Sequence, residues 1–142
     1  MTPADRLGFF DTLVRSQIEL WNAVDHSVTA ASGMSLGLAT ALRVVDELAG
    51  AARVQDVADT VVITVGAASK IVDRLERDGF VRRVPNPDDR RSSLIEVTPR
   101  GAGALALALD AQHEVLARAT AGVDDERLVA AGAVLGRIRA EA

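Results

Sequence analysis

Between Val54 and Gly101 the chain reads VQDVADTVVITVGAASKIVDRLERDGFVRRVPNPDDRRSSLIEVTPRG, and its apolar period changes once, at Gly79. Before that glycine, apolar residues recur at helical spacings. After it come two short strand-like runs, Phe80–Val84 and Ser93–Val97, around the turn-forming cluster Pro85-Asn86-Pro87-Asp88-Asp89. Two short helices in tandem, then a hairpin with arginines at its tip, leave few folds open. The succession is that of a helix-turn-helix with a protruding β-ribbon, the layout of a winged-helix reader of duplex DNA.

The flanking sequence supplies helices. Phe10, Val14, Trp21, Val24 and Val28 share one face of a helix expected from Pro3 to about Ser32. Ser35 is placed to cap a second helix with Leu38, Leu42, Val45 and Leu48 on its apolar face, ending at Gly50. A short third helix carries Val57, Ala58 and Val61. Thr64 caps a fourth, whose Ala68, Ile71, Val72 and Leu75 face inward up to Asp78-Gly79, where glycine accommodates a positive φ. After the hairpin, Thr98-Pro99 reads as an N-cap followed by proline at the first helical position of a helix running to about Thr120. Asp124-Asp125-Glu126 then places negative charge on the start of a last helix with the stripe Leu128, Ala131, Leu135, Ile138.

The expected fold is therefore mainly α with a small β-hairpin wing, a single domain over 1–142. Its winged helix-turn-helix lobe spans 35–98, and the helices of 1–34 and 99–142 form a second, dimerising lobe. A lobe of about 65 residues is small for covering the apolar stripes of three long helices. Those helices are expected to pack on each other and on a second copy, giving a symmetric homodimer.

Charge distribution sharpens the reading. The net charge is −4, yet residues 70–100 hold eight of the 16 basic side chains and six of the 20 acidic ones, so this segment is +2 and the remainder −6. Local potential near the groove governs phosphate attraction, so an acidic body with one basic face is compatible with DNA. The chain has no cysteine, which excludes disulfides and zinc–thiolate sites. Neither a secretory leader nor a long apolar run is present, so a cytoplasmic protein without a membrane segment is expected. No phosphate loop, metal-ligand spacing or nucleophile motif supports an enzyme, and no cofactor or metal is expected.

Near the start of the fourth helix, Gly66, Ala67, Ser69, Lys70 and Arg74 point outward, where such a helix meets base edges. Ser69 and Lys70 can donate to bases or phosphates, and Ala67 can touch a thymine methyl. Taken alone, these helices fit an ordinary helical hairpin with a solvated face equally well. The wing decides: Arg90 and Arg91 sit on a protruding tip, where a narrow groove attracts arginine, and Asp89 could hold the Arg91 guanidinium in a bidentate pair.

The run DRLERDGFVRRVPNPDDRRSSLIEVTPRG resembles the recognition-helix end, wing and following helix start of the MarR family of bacterial transcriptional regulators. The resemblance is sharpest from Ile71 to Gly101 and extends more loosely over the whole chain. It implies a homodimer of intertwined terminal helices carrying two winged helix-turn-helix lobes, acting on operator DNA, commonly as a repressor. It also implies that Arg91 enters the minor groove and that Asp89 orients it. Two departures stand out: Val62 occupies the turn where the family commonly has glycine, and Val65-Gly66-Ala67-Ala68 replaces a usually polar helix start. With fewer side chains available to read bases, shape readout and the wing are expected to carry more of the specificity. The apolar start also motivates the alternative of a winged-helix interaction or ligand-sensing module without DNA binding.

The resemblance further implies release by a small molecule, often an aromatic acid, bound where the dimerising helices meet the DNA lobe. Arg15, Glu19, Asn22 and His26 share one face of the first helix with Trp21 adjoining, so Arg15 beside an aromatic ring could clamp a carboxylate. A solvated face with an Arg15–Glu19 pair fits the same spacing, and the balance lies slightly with it. His113 reads as a partly buried or interface histidine rather than a metal ligand.

Overall fold

Thr2 begins the first helix by a reciprocal cap: its hydroxyl accepts from the Asp5 N–H at 3.2 Å, and its own N–H donates to Asp5 Oδ2 at 2.7 Å. From there a computed structural model describes residues 1–142 as six helices and one antiparallel hairpin. The elements are α1 (Pro3–Ser32), α2 (Leu36–Glu47), α3 (Val54–Val61), α4 (Val65–Arg77), β1 (Val81–Pro85), β2 (Ser93–Val97), α5 (Pro99–Thr120) and α6 (Asp125–Glu141). The order and type of every element agree with the sequence reading. No single helix is long and apolar enough to cross a membrane.

Helix starts fall where a hydroxyl or carboxylate can satisfy a free N–H. Ser35, Thr64, Thr98 and Asp124 each accept from the N–H three residues on, a cap worth about 1 kcal/mol apiece. Asp25 on α1 adds an acceptor for the Leu36 N–H at 2.7 Å, which ties α1 to the start of α2.

The core surrounds α2, which buries Leu36, Leu38, Ala39, Ala41, Leu42, Val44 and Val45. Val57 and Ala58 of α3, Ala68, Val72 and Leu75 of α4, and Leu105 and Ala108 of α5 close on it. Small Ala58 and Ala68 let α3 and α4 cross closely. One expected position differs: Leu48 follows the last turn of α2 and is 38% exposed, whereas Ile71 packs partly buried against the core at the edge of the α4 stripe.

Gly79 (φ +81°) ends α4 in a Schellman turn: Gly79 N–H donates to Glu76 O at 3.0 Å and Phe80 N–H to Leu75 O at 2.8 Å. That second bond keeps Phe80 in the helix cap, so β1 begins at Val81, one residue later than the sequence suggested. The hairpin pairs Val81 with Val97 through Pro85 with Ser93, and a bridge from Ala52 to Ile95 fastens it to the body.

The last helix behaves differently. No residue of α6 is buried, and along α1 only Val24 and Val28 are. Phe10, Ile18 and Trp21 on α1, and Val129, Leu135 and Ile138 on α6, remain exposed large hydrophobics. One chain alone leaves this apolar surface uncovered.

Candidate nucleic-acid interface

The outer side of α4 is set by its cap and its phase. Ala68, Val72 and Leu75 point into the core, which turns Val65, Gly66, Lys70, Asp73, Arg74 and Arg77 out to solvent and leaves Ala67 and Ser69 half-exposed. A side chain at Gly66 would meet nothing within 4 Å, so this first turn is open as well as apolar.

Pairing sorts the basic residues of the 70–100 segment into two groups. Arg82 gives two hydrogen bonds to Glu96 across the hairpin, at 2.9 and 2.7 Å. Arg83 reaches from β1 back to α4, with Nη2 on Asp73 Oδ1 at 2.7 Å and Nη1 on Glu76 Oε2. Burial works against the Arg83 charge, but the hydrogen bonds and charges of Asp73 and Glu76 outweigh it and raise its pKa above the ordinary arginine value. Arg100 lies over the Phe80 ring at 5.4 Å and donates to Asp78 O. Arg74 has only a long contact to Asp78, at 3.7 Å. Lys70, Arg77, Arg90 and Arg91 have no carboxylate within salt-bridge distance. Within this segment, the cations left without a close partner are thus on the outer face of α4 and at the wing tip.

The wing tip is built on Asn86, a residue only 3% exposed. Its Oδ1 accepts from the Asp88 N–H at 3.0 Å and its Nδ2 donates to Ser92 Oγ at 3.1 Å. Asp89 continues the turn: Oδ1 accepts from the Arg91 N–H at 2.9 Å, and its carbonyl accepts from the Ser92 N–H at 3.2 Å. This corrects the expected Asp89–Arg91 bidentate pair. The peptide N–H two residues on is the nearest unsatisfied donor in such a turn, so the carboxylate takes it and the guanidinium stays free. Neither Asn86 nor Arg83 stands out in the sequence as a site residue. An asparagine between two prolines is the one signal that points to Asn86.

The residues expected on α1 separate. Trp21 lines a cavity of about 230 Å³ between α1, α2 and α5, together with Gln17, Leu20, Val24, Leu36, Thr40, Gln112 and Leu116. Arg15, Asn22 and His26 are exposed and do not line it. At about 100° per residue, Asn22 points a quarter-turn or more away from Trp21, and Arg15 and His26 follow Asn22. Within the chain the cavity wall carries no charged side chain, and Arg15 is not part of it. Arg15 and Glu19 do not form an ion pair either, and His113 is exposed within its own chain, which agrees with the interface half of its expected placement and not with partial burial.

Comparison with known proteins converges on one family. The MarR family model matches residues 39–93, from α2 through the wing tip to the first residue of β2. The chain is 33% identical over 105 residues to a candidate transcriptional regulatory protein for the hcr operon of Thauera aromatica, covering 72% of this chain and 60% of that protein. Matches to curated relatives span 28% to 60% of the relatives' own lengths. Among solved structures, a MarR family transcriptional regulator from Rhodococcus sp. RHA1 superposes with TM-score 0.83 at 25% identity, covering 97% of this chain and 95% of that one. Sco3205 of Streptomyces coelicolor, a MarR family regulator in complex with DNA, superposes with TM-score 0.88 at 23% identity, covering 99% and 89%, and supports the fold.

Proposed function

We propose that the chain is a transcriptional regulator of the MarR family, whose model matches residues 39–93, and that it binds a pseudo-palindromic operator as a homodimer, acting as a cytoplasmic repressor. The observation that carries this reading is the sorting of charge. Six basic residues project from α4 and the wing tip (Lys70, Arg74, Arg77, Arg90, Arg91) or brace them (Arg83), and of the five that project only Arg74 has even a long carboxylate contact. In this reading α4 enters the major groove, with Gly66, Ala67 and Ser69 against base edges and Lys70 and Arg74 against phosphates. Arg91, with Arg90 beside it, reaches the adjacent minor groove, and Asp89 shapes the turn that presents them.

The residues of 35–98 form the DNA lobe, and those of 1–34 and 99–142 supply the dimerising surface. A shallow apolar groove of about 340 Å³ between α1 and α6, lined by Phe9, Leu13, Val134 and Leu135 among others, continues that surface. Two lobes so joined would address half-sites about one helical turn apart, ~10 bp.

Equilibrium binding to a duplex retained from genomic fragments tests the reading. Lys70→Ala and Arg91→Ala should each weaken binding and flatten its salt dependence. For each phosphate left without its cation, the slope of log affinity against log salt should fall by about 0.9. If both variants bind as the wild type does, the lobe is instead an interaction module that does not use this face for DNA.

The cavity beside Trp21 favours a small effector of a different class from the aromatic acids expected. Its polar groups, Gln17, Thr40 and Gln112, are neutral, and the Thr40 hydroxyl already donates to Leu36 O at 2.8 Å, leaving an acceptor. At about 230 Å³ it suits a ligand of one aromatic ring without a carboxylate. Trp21 is the only tryptophan, so its fluorescence would report binding directly. Benzoate and an uncharged analogue such as benzamide distinguish the classes, with a response expected from the second alone.

A further inference from the structure

Arg83 is the one guanidinium of the wing that is withdrawn from solvent. Its side chain is 27% exposed, against 68% for Arg82 on the same strand, and both ends of its fork are occupied by carboxylates of α4. The Arg83 N–H also points at Glu76 Oε1, at 3.4 Å. Asp73 and Glu76 lie three residues apart and share a face of the helix, so one planar fork bridges β1 to almost a full turn of α4. Arg83 pairs with Ile95 in the hairpin register, and the ladder ends two pairs further out, at Pro85 and Ser93. Beyond the fork the ribbon carries its tip roughly 10 Å outward, so a small rotation at Arg83 becomes a larger displacement at Arg91.

We propose that Arg83 is a positioning residue for DNA recognition: by holding Asp73 and Glu76 together it locks the wing to α4, so that one lobe meets the major and minor grooves in a fixed relation. With both ends of its fork taken, Arg83 itself does not contact DNA. The inference rests on the DNA-binding reading. It accounts for an otherwise unfavourable feature, two exposed carboxylates on a helix that approaches phosphates. If those acids were only tolerated, removing them would make the surface more positive and tighten binding. If they are the anchor of the wing, removing them weakens it.

The test measures affinity and hydroxyl-radical protection of the minor groove on a duplex retained by the wild type, with thermal melting of each variant. Arg83→Gln and the double variant Asp73→Ala/Glu76→Ala should both lose minor-groove protection at the flanks and bind roughly tenfold more weakly. Arg83→Lys should recover part of the loss, because it keeps the charge but not the fork. Tighter binding by the double variant with unchanged protection overturns the proposal. So does a loss of affinity in Arg83→Gln with minor-groove protection intact, or one fully accounted for by its unfolded fraction. If the wild type binds no duplex, the DNA-binding reading itself fails and takes this one with it. If the wild type binds and all variants match it, this inference alone fails.

Discussion

Asp89 and Arg91 are joined through the backbone: Asp89 Oδ1 accepts from the Arg91 N–H at 2.9 Å, while the Arg91 guanidinium has no carboxylate within salt-bridge distance. The aspartate therefore shapes the turn and leaves the arginine free for a phosphate or a groove. An amide oxygen can replace a carboxylate oxygen as acceptor in such a turn. Asp89→Asn should thus keep full affinity for the operator, or gain slightly from the lost negative charge. Asp89→Ala should bind several-fold more weakly. A loss with asparagine as large as that with alanine would point back to a charge pair with the guanidinium.

Val62 ends α3 at φ +60° and ψ +52°, a left-handed conformation that a β-branched residue adopts at a cost of roughly 1–2 kcal/mol. Its side chain is 76% exposed and contributes little packing in return. Val62→Gly relieves that strain, and the greater freedom of the unfolded glycine offsets part of the gain. The net expectation is about 0.5–1 kcal/mol of added stability, read as a higher urea midpoint at constant slope. A lower midpoint would mean that Val62 packs against something outside this chain.

Two glycines should respond in opposite ways to alanine. At Gly101 an added Cβ would sit 2.0 Å from Phe80 O, where the start of α5 meets the end of α4. Thr98 bonds Gly79 O at 2.6 Å at the same junction, so the backbone has little room to yield. Gly101→Ala should cost about 1–3 kcal/mol. Gly66→Ala meets nothing within 4 Å and should stabilise α4 by up to about 0.5 kcal/mol. Thermal melting of the two variants side by side checks both signs.

Because no residue of α6 is buried within its own chain and Leu135 and Ile138 are exposed, Leu135→Asp or Ile138→Asp should leave the DNA lobe folded while opening the dimer. Sedimentation should show the wild type as a dimer and the variants as monomers, with unchanged helix content by circular dichroism. A variant that stays dimeric would place the interface elsewhere.

Much of this architecture is written in short-range signals. Thr64 and Thr98 cap their helices because a hydroxyl at the right offset meets a free N–H, and Gly79 ends α4 because its φ is positive. Features that depend on two elements at once are not legible in this way. The Arg83 fork requires the phase of α4 and the register of β1 together, across ten residues. The choice of Asp89 between an amide and a guanidinium is made by turn geometry, which the residue types leave open. On α1 the helical period holds, but the helix turns Arg15, Asn22 and His26 away from the cavity that Trp21 lines. Proximity along the chain is not a shared face, and Arg15 and Trp21 do not line one cavity within the chain for that reason.

The central claim is that the outer face of α4 and the wing tip read duplex DNA, and selection from genomic fragments tests it most directly. Full-length protein incubated with fragments at low salt should enrich a small set sharing a pseudo-palindrome with half-sites ~10 bp apart. The same selection with Arg91→Ala should lose that enrichment. If the wild type retains no fragment above background, α4 and the wing do not read DNA, and the central claim is contradicted.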